Sequence, residues 1–170
     1  ALHVRQARFT YEAILDQNQT PEDTLWKVPL AITVAGRGTT STLMSDASVS
    51  ILAPTGTSAN SWIKVNSNQT GFYRVKYPIL ELGMLSSAVE SMELSTSERL
   101  GLSDDAFALC RAGILPASDF LTFLKSYSRD TSHSVWANII NSLTSLDELL
   151  SNQVFQPAFH SYAKKLLARI

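Results

Sequence analysis

The chain has 170 residues, 45 % of them hydrophobic and 17 % charged, which describes an ordinary folded domain or two small ones and not a disordered tail. Fourteen basic against fifteen acidic residues leave a net charge of −1, too little to gather phosphate backbones or anionic lipid, so neither nucleic acid nor a membrane is expected as a partner. The longest apolar run, Ala106 to Cys110, falls far short of the ~18 residues that cross a bilayer, and Ala1-Leu2-His3-Val4-Arg5 does not read as a signal peptide.

Composition changes near Pro78. Ten of fourteen threonines and six of nine valines precede it, while sixteen of twenty-two leucines follow. Branching at Cβ suits a pleated surface, whereas leucine keeps its rotamers in a helix. The expectation is therefore a β unit over 1–78 and an all-helical unit over 79–170. In chain order, Leu2 to Phe9 reads as a strand, Asp16 to Asp23 as a polar loop, and Trp26 to Val34 as a strand whose Pro29 argues for an edge or bulge. Gly36 and Gly38 mark a turn, Thr40 to Met44 and Ser48 to Leu52 are weaker strands, and Pro54-Thr55-Gly56 ends the last. Trp62 to Asn66 and Phe72 to Tyr77 read as a hairpin, with Ile63 and Val65 inward and Lys64, Arg74 and Lys76 on the opposite face. About six or seven such strands amount to a small antiparallel β-sandwich.

Helical spacing follows. Ile79 to Met92 places Leu82, Leu85, Val89 and Met92 on one stripe. Ser95 and Glu98 form a capping-box pattern opening a helix with Leu102, Ala106, Leu109 and Cys110 on its apolar side, closed by Gly113 at C′. Pro116 suits the first position of the next helix, striped by Phe120, Leu121 and Leu124; Ser134 opens another with Trp136, Ile139, Ile140 and Leu143. Val154 to Ala168 is the last, with Phe155, Phe159, Tyr162 and Leu166. Such short joints force antiparallel neighbours, hence a stack of helical hairpins forming part of an α-superhelix. Apolar Leu166, Leu167 and Ile170 without a polar capping helix lead to the expectation that the chain is part of something longer.

Chemistry-bearing residues are scattered. His3, His133 and His160 share no metal-ligand spacing, and single Cys110 on an apolar stripe reads as an inert thiol that fits a reducing compartment. Asp104 and Asp105 suggest acid–base work only weakly, because side chains at i and i+1 diverge; early in a helix they complement its dipole, with Arg99 and Arg111 as ion-pair partners. Trp26, Trp62 and Trp136 read as core anchors. Asn18-Gln19-Thr20 and Asn68-Gln69-Thr70 are glycosylation sequons by pattern, the second in a turn that calls for positive φ. No catalytic, cofactor-binding or metal-binding residue is assigned.

Trp62-Ile63-Lys64-Val65-Asn66 with Asn68-Gln69-Thr70-Gly71-Phe72-Tyr73-Arg74-Val75 and Tyr77 closely resembles the hairpin of the zinc-dependent gluzincin aminopeptidases. Trp26-Lys27-Val28-Pro29-Leu30, the run from Glu98 to Gly113, and Val135-Trp136 extend the likeness over nearly the whole chain. The Arg99-Leu100-Gly101-Leu102 wording and the run after Val135 look most like the puromycin-sensitive, cytosolic branch; Pro78 and Cys110 depart from the usual pattern. The resemblance implies an enzyme with an N-terminal β domain, a thermolysin-like catalytic domain, a small β-sandwich and a large helical domain over the active site. This chain would be the sandwich and the first half of the helical domain. The family's His-Glu-x-x-His zinc helix, distal glutamate, Gly-x-Met-Glu-Asn loop and catalytic tyrosine are not in this sequence, so zinc and the peptide substrates would belong to the parent, with the missing catalytic domain as partner. The other reading is a stand-alone protein- or peptide-binding module without catalysis.

Overall fold

The computed structural model describes residues 1–11 and 24–168. The expected loop Asp16–Asp23, the Asn18 sequon and Ile170 lie outside the described residues. Five strands, β1 (Leu2–Arg5), β2 (Val28–Val34), β3 (Gly38–Met44), β4 (Ser48–Ile51) and β5 (Ile63–Val65), precede five helices, α1 (Ile79–Glu90), α2 (Thr96–Arg111), α3 (Ala117–Leu124), α4 (His133–Leu149) and α5 (Gln156–Leu167). The order is therefore β then α, with fewer strands among the described residues than the six or seven expected.

The strands form two small antiparallel sheets, β1-β4 and β3-β2-β5. Alternation sends Leu30, Ile32 and Val34 of β2 inward, and Leu30 and Ile32 form one apolar cluster with Met44 and Val65, against which Leu2, Val4, Val49 and Ile51 of the other sheet pack. The β2–β3 turn closes with Arg37 N–H on the Val34 carbonyl at 2.9 Å, and Gly36 supplies the φ of 66°. β2 is the central strand, not an edge. Its Pro29 is tolerated because β5 pairs only with Ile32 to Val34, leaving the Pro29 end with β3 alone.

The expected hairpin does not form. Ile63–Val65 is a strand, but Phe72–Tyr77 joins no ladder, because side chains hold the intervening and returning backbone. Ser67–Gln69 is a 3-10 turn, and Asn66, Asn68 and Gln69 all adopt positive φ (61°, 55° and 56°). The Asn66 side chain ties this loop: its Nδ2 donates to the carbonyls of Gly71 (2.9 Å) and Tyr73 (3.3 Å), and its Oδ1 accepts from Gly71 N–H (2.7 Å).

Local signals set the helix ends. Ser95 and Glu98 complete the capping box of α2. Gly113, at φ 66°, ends α2 in a Schellman motif, with its N–H on the Cys110 carbonyl and that of Ile114 on Leu109. The end of α1 repeats the device with Met92 at φ 61°, so Met92 is a half-exposed C′ residue and not part of the α1 stripe. Pro116 is the N-cap of α3, one position before the expected one. Ser132, two before the expected Ser134, occupies the N-cap position of α4 without a side-chain capping bond.

Leu82, Leu85, Val89, Leu102, Ala106, Phe120, Leu124, Trp136, Ile139, Leu143 and Phe159 share the helical core. α2 packs on α3 and α4, α4 on α5, and α1 on α3. Ile140 is exposed, because α4 presents a narrower apolar stripe than its sequence suggested, and Phe155 is exposed as the N-cap residue preceding α5. Beneath α2 lies a buried hub. The Arg99 guanidinium grips Asp130 (Nε–Oδ2 2.6 Å, Nη2–Oδ1 3.3 Å) and the Leu94 carbonyl (2.6 Å), while Asp130 accepts Ser132 N–H and Trp136 Nε1–H reaches the Asp130 carbonyl.

Candidate functional site at the strand–helix junction

The densest set of buried titratable groups lies where β5 and the segment after it meet α2. Helical periodicity carries Glu98 and Asp105 of α2 toward the β unit, and strand alternation carries Lys64 toward α2. Lys64 is 0 % exposed, the reverse of its expected solvent-facing position. Its ammonium donates to the carbonyls of Val65 (2.6 Å) and Asn66 (3.1 Å). Burial pulls its pKa down to about 8, against the attraction of Asp105 and Glu98.

Asp104 and Asp105 sit in the middle of α2, not in its first turns, so the helix dipole does not account for them. Both reach Arg74: Nη1 lies 2.8 Å from Asp104 Oδ2 and 3.2 Å from Asp105 Oδ1. Asp105 Oδ2 also accepts the Val75 N–H at 3.1 Å. Burial pushes the Asp105 carboxyl up to about 6, opposed by the Val75 N–H and by the positive charges of Arg74 and Lys64. Tyr77 closes the group. Its hydroxyl accepts the Val65 N–H (2.9 Å) and donates to the Val65 carbonyl (3.2 Å), and burial drives its pKa far up.

Glu98 does double service. Oε2 accepts the Ser95 N–H of the capping box at 3.0 Å, and Oε1 faces the Asn68 N–H at 3.5 Å, linking the start of α2 to the loop. Gly101 allows that loop to approach, since a Cβ there would lie 1.8 Å from Nε2 of Gln69. Gly71 likewise accommodates the ring of Tyr73, whose Cε1 would stand 2.1 Å from an added Cβ. Three non-glycine residues at positive φ cost on the order of 1 kcal/mol each or more, and these contacts hold them there.

A second tie joins the N-terminal segment to α2. Arg74 lies over the ring of Phe9 (5.6 Å), and Arg111 over those of Tyr11 (4.8 Å) and Phe107 (5.9 Å). Arg111 thus acts through rings, while Arg99, expected beside Asp104 and Asp105, pairs with Asp130.

Two cavities bear on catalysis. The one beside Asp105, lined also by Val75, Tyr77, Leu82 and Leu102, measures about 10 Å³, which leaves no room for a substrate. The other, about 610 Å³, is lined by Lys125, Ala158, Ser161, Tyr162, Lys165 and Leu166 and offers no carboxylate or imidazole. Among the described residues no three His, Cys, Asp or Glu side chains cluster in a way that could hold a metal ion. His3 Nδ1 bonds Ser50 Oγ (2.8 Å), His160 Nε2 bonds Asp147 (2.6 Å), and His133 is an exposed first residue of α4. The Cys110 thiol is half-buried, and burial raises its pKa. Of the tryptophans, Trp136 is a core residue, Trp62 is half-buried with Nε1–H on Glu93 (2.7 Å), and Trp26 is exposed, contrary to the anchor expected there.

The geometry is therefore that of a latch. Residues 62–170, from the strand of this latch through α5, match the family model described as the ERAP1-like C-terminal domain. The chain belongs to that family. Its relatives place it in the C-terminal region of the M1 gluzincin aminopeptidases. It is 34 % identical over 152 residues to the thyrotropin-releasing hormone-degrading ectoenzyme of Rattus norvegicus, covering 85 % of this chain and 14 % of the relative. Aminopeptidase M1-A of Oryza sativa is 39 % identical over 90 residues (53 % and 10 %), and aminopeptidase 2 of Candida albicans 27 % over 169 (98 % and 18 %). The chain thus spans less than a fifth of the length of the relatives it matches.

Proposed function

We propose that this chain is a non-catalytic part of a zinc metalloaminopeptidase that removes N-terminal residues from peptides. Its role is to hold the helical lid in place over the catalytic domain. The observation that supports this most is the latch itself: Lys64, Arg74, Val75 and Tyr77 on one side and Glu98, Asp104 and Asp105 on the other interlock without leaving a substrate cleft. In this reading residues 1–78 are a small β-sandwich domain and 79–170 the first half of a superhelical domain. Zinc, the peptide site and the residues that select the N-terminal side chain belong to the remainder of the parent.

No helix among the described residues is long and apolar enough to cross a membrane. We place the parent in the cytoplasm on the puromycin-sensitive wording of its motifs; the ectoenzyme relatives make this the reading to test by fractionation. The decisive assay is hydrolysis of aminoacyl substrates by the purified chain with zinc added. No turnover above buffer is expected, and turnover that a chelator removes and metal restores would overturn the proposal. A His-Glu-x-x-His motif encoded upstream of Ala1 is the matching expectation for the parent.

A further inference from the structure

β3 is a sheet edge left open. Among the described residues it pairs with β2 alone, and Gly38 through Leu43 are all exposed, so neither face of the strand is buried. The register says which backbone groups are free. Ala35 N–H donates to the Trp62 carbonyl on the β5 side of β2, so Val34, Ile32 and Leu30 turn theirs to β3, where Gly38, Thr40 and Thr42 answer them. The N–H and C=O groups of Thr39, Ser41 and Leu43 therefore point away from β2, along the open edge. The strand carries no charge and no proline, and it follows β2 residue for residue without a bulge, so the usual means of keeping one strand edge from meeting another are missing.

We infer that β3 pairs antiparallel with β3 of a second copy of this chain, about a twofold axis at Ser41. Three observations favour that partner. An extended peptide from another protein is selected by side-chain pockets beside the edge, but both faces of β3 are exposed and neither cavity described above is lined by it. The side chains of the strand match one another: the axis at Ser41 sets Thr40 against Thr42 of the second copy, and Thr39 against Leu43. The Thr33–Thr39 hydroxyl pair, at 2.7 Å, makes the same kind of cross-strand contact inside the sheet. Charge agrees at the ends. Exposed Arg37 precedes the strand and exposed Asp46 follows it, so antiparallel pairing brings the basic end of each copy to the acidic end of the other. One strand pair covers less than the roughly 1,200 Å² of stable complexes, so the association is reversible and concentration-dependent. It does not rest on the parentage proposed above.

Sedimentation equilibrium of the 170-residue chain is expected to give a mass that climbs from one chain toward two as concentration rises. Ser41→Pro removes an N–H that β2 does not use, and Ser41→Lys puts a charge on the axis. Each is expected to lower the association constant on the order of tenfold while the dilute chain keeps its thermal midpoint. Cysteine pairs then read the register in a Cys110→Ala background under a mild oxidant. Ser41→Cys is expected to give a disulfide-linked dimer, its two Cα atoms falling about 5.5 Å apart. Thr39→Cys alone, with its copies ~13 Å apart along the strands, is expected to stay unlinked, but to link when mixed with Leu43→Cys. A single-chain mass at every concentration, association that survives both Ser41 substitutions, or Thr39→Cys linking to itself as readily as Ser41→Cys would each overturn the pairing.

Discussion

The carboxylate of Asp105, in mid-helix, accepts the backbone N–H of Val75 at 3.1 Å, so one side chain of α2 does for Val75 what a neighbouring strand would otherwise do. Its other oxygen faces Arg74. Asp105→Asn keeps an oxygen for the amide and removes the charge, whereas Asp105→Ala leaves Val75 N–H without an acceptor. Urea unfolding should show the alanine variant about 2 kcal/mol less stable than the asparagine variant. Equal stabilities would mean that the Val75 bond contributes nothing.

The same cluster sets a pH dependence of definite sign. In the fold Asp105 titrates near 6, above its ordinary 3.8, so its stabilising contribution is complete in acid and is lost as pH rises through 6. Lys64 titrates near 8, below its ordinary 10.5, so its contribution is present above that value and is lost as pH falls through 8. Each window carries on the order of 3 kcal/mol, and the two together place a minimum in this cluster's contribution between pH 6 and 8. Subtracting the unfolding free energies of Asp105→Asn from those of the unaltered chain should expose the acid limb. A flat difference between pH 4 and 6 would refute it.

Tyr77→Phe removes only an oxygen, but that oxygen serves both polar groups of Val65. The buried N–H of a three-residue strand then lacks its partner, and a loss of about 2 kcal/mol is expected in thermal or urea unfolding. Stability within 0.5 kcal/mol of the parent, roughly the spread of neutral surface changes, would mean that water takes over the role.

Two helical glycines predict opposite outcomes for one substitution. Gly83 of α1 has open space where a Cβ would stand, so Gly83→Ala should stabilise by about 1 kcal/mol through helix propensity alone. Gly101→Ala gains the same propensity but displaces the Gln69 amide, which accepts from Asn66 Nδ2 at 3.1 Å. A net loss of about 1–2 kcal/mol is expected there. Paired thermal melts check both, and a stabilised Gly101→Ala would show that the loop does not depend on close approach to α2.

What could be read from the chain was local. The Ser95–Glu98 box and Gly113 were legible because capping needs only residues within one turn. The switch from β to α near Pro78 was legible from composition, since branching and leucine content act residue by residue. The Phe72–Tyr77 strand failed because alternation reports which side chains face inward and not whether a ladder partner exists; Asp105, thirty residues away, holds one of those amides. Lys64 was assigned to solvent by the same alternation, which treats a sheet as one-sided and cannot know that α2 covers the other face. Asp104 and Asp105 read from the sequence as diverging side chains that complement a helix dipole, and what was not legible is that both reach Arg74, thirty residues away in the segment after β5.

The hydroxyl of Tyr77 also has a consequence beyond stability. By occupying the N–H and carbonyl of Val65, it takes away one position at which another extended chain could pair with β5. A phenol from the same molecule thus does at Val65 the protective work often given to proline or a charged side chain on an exposed strand edge.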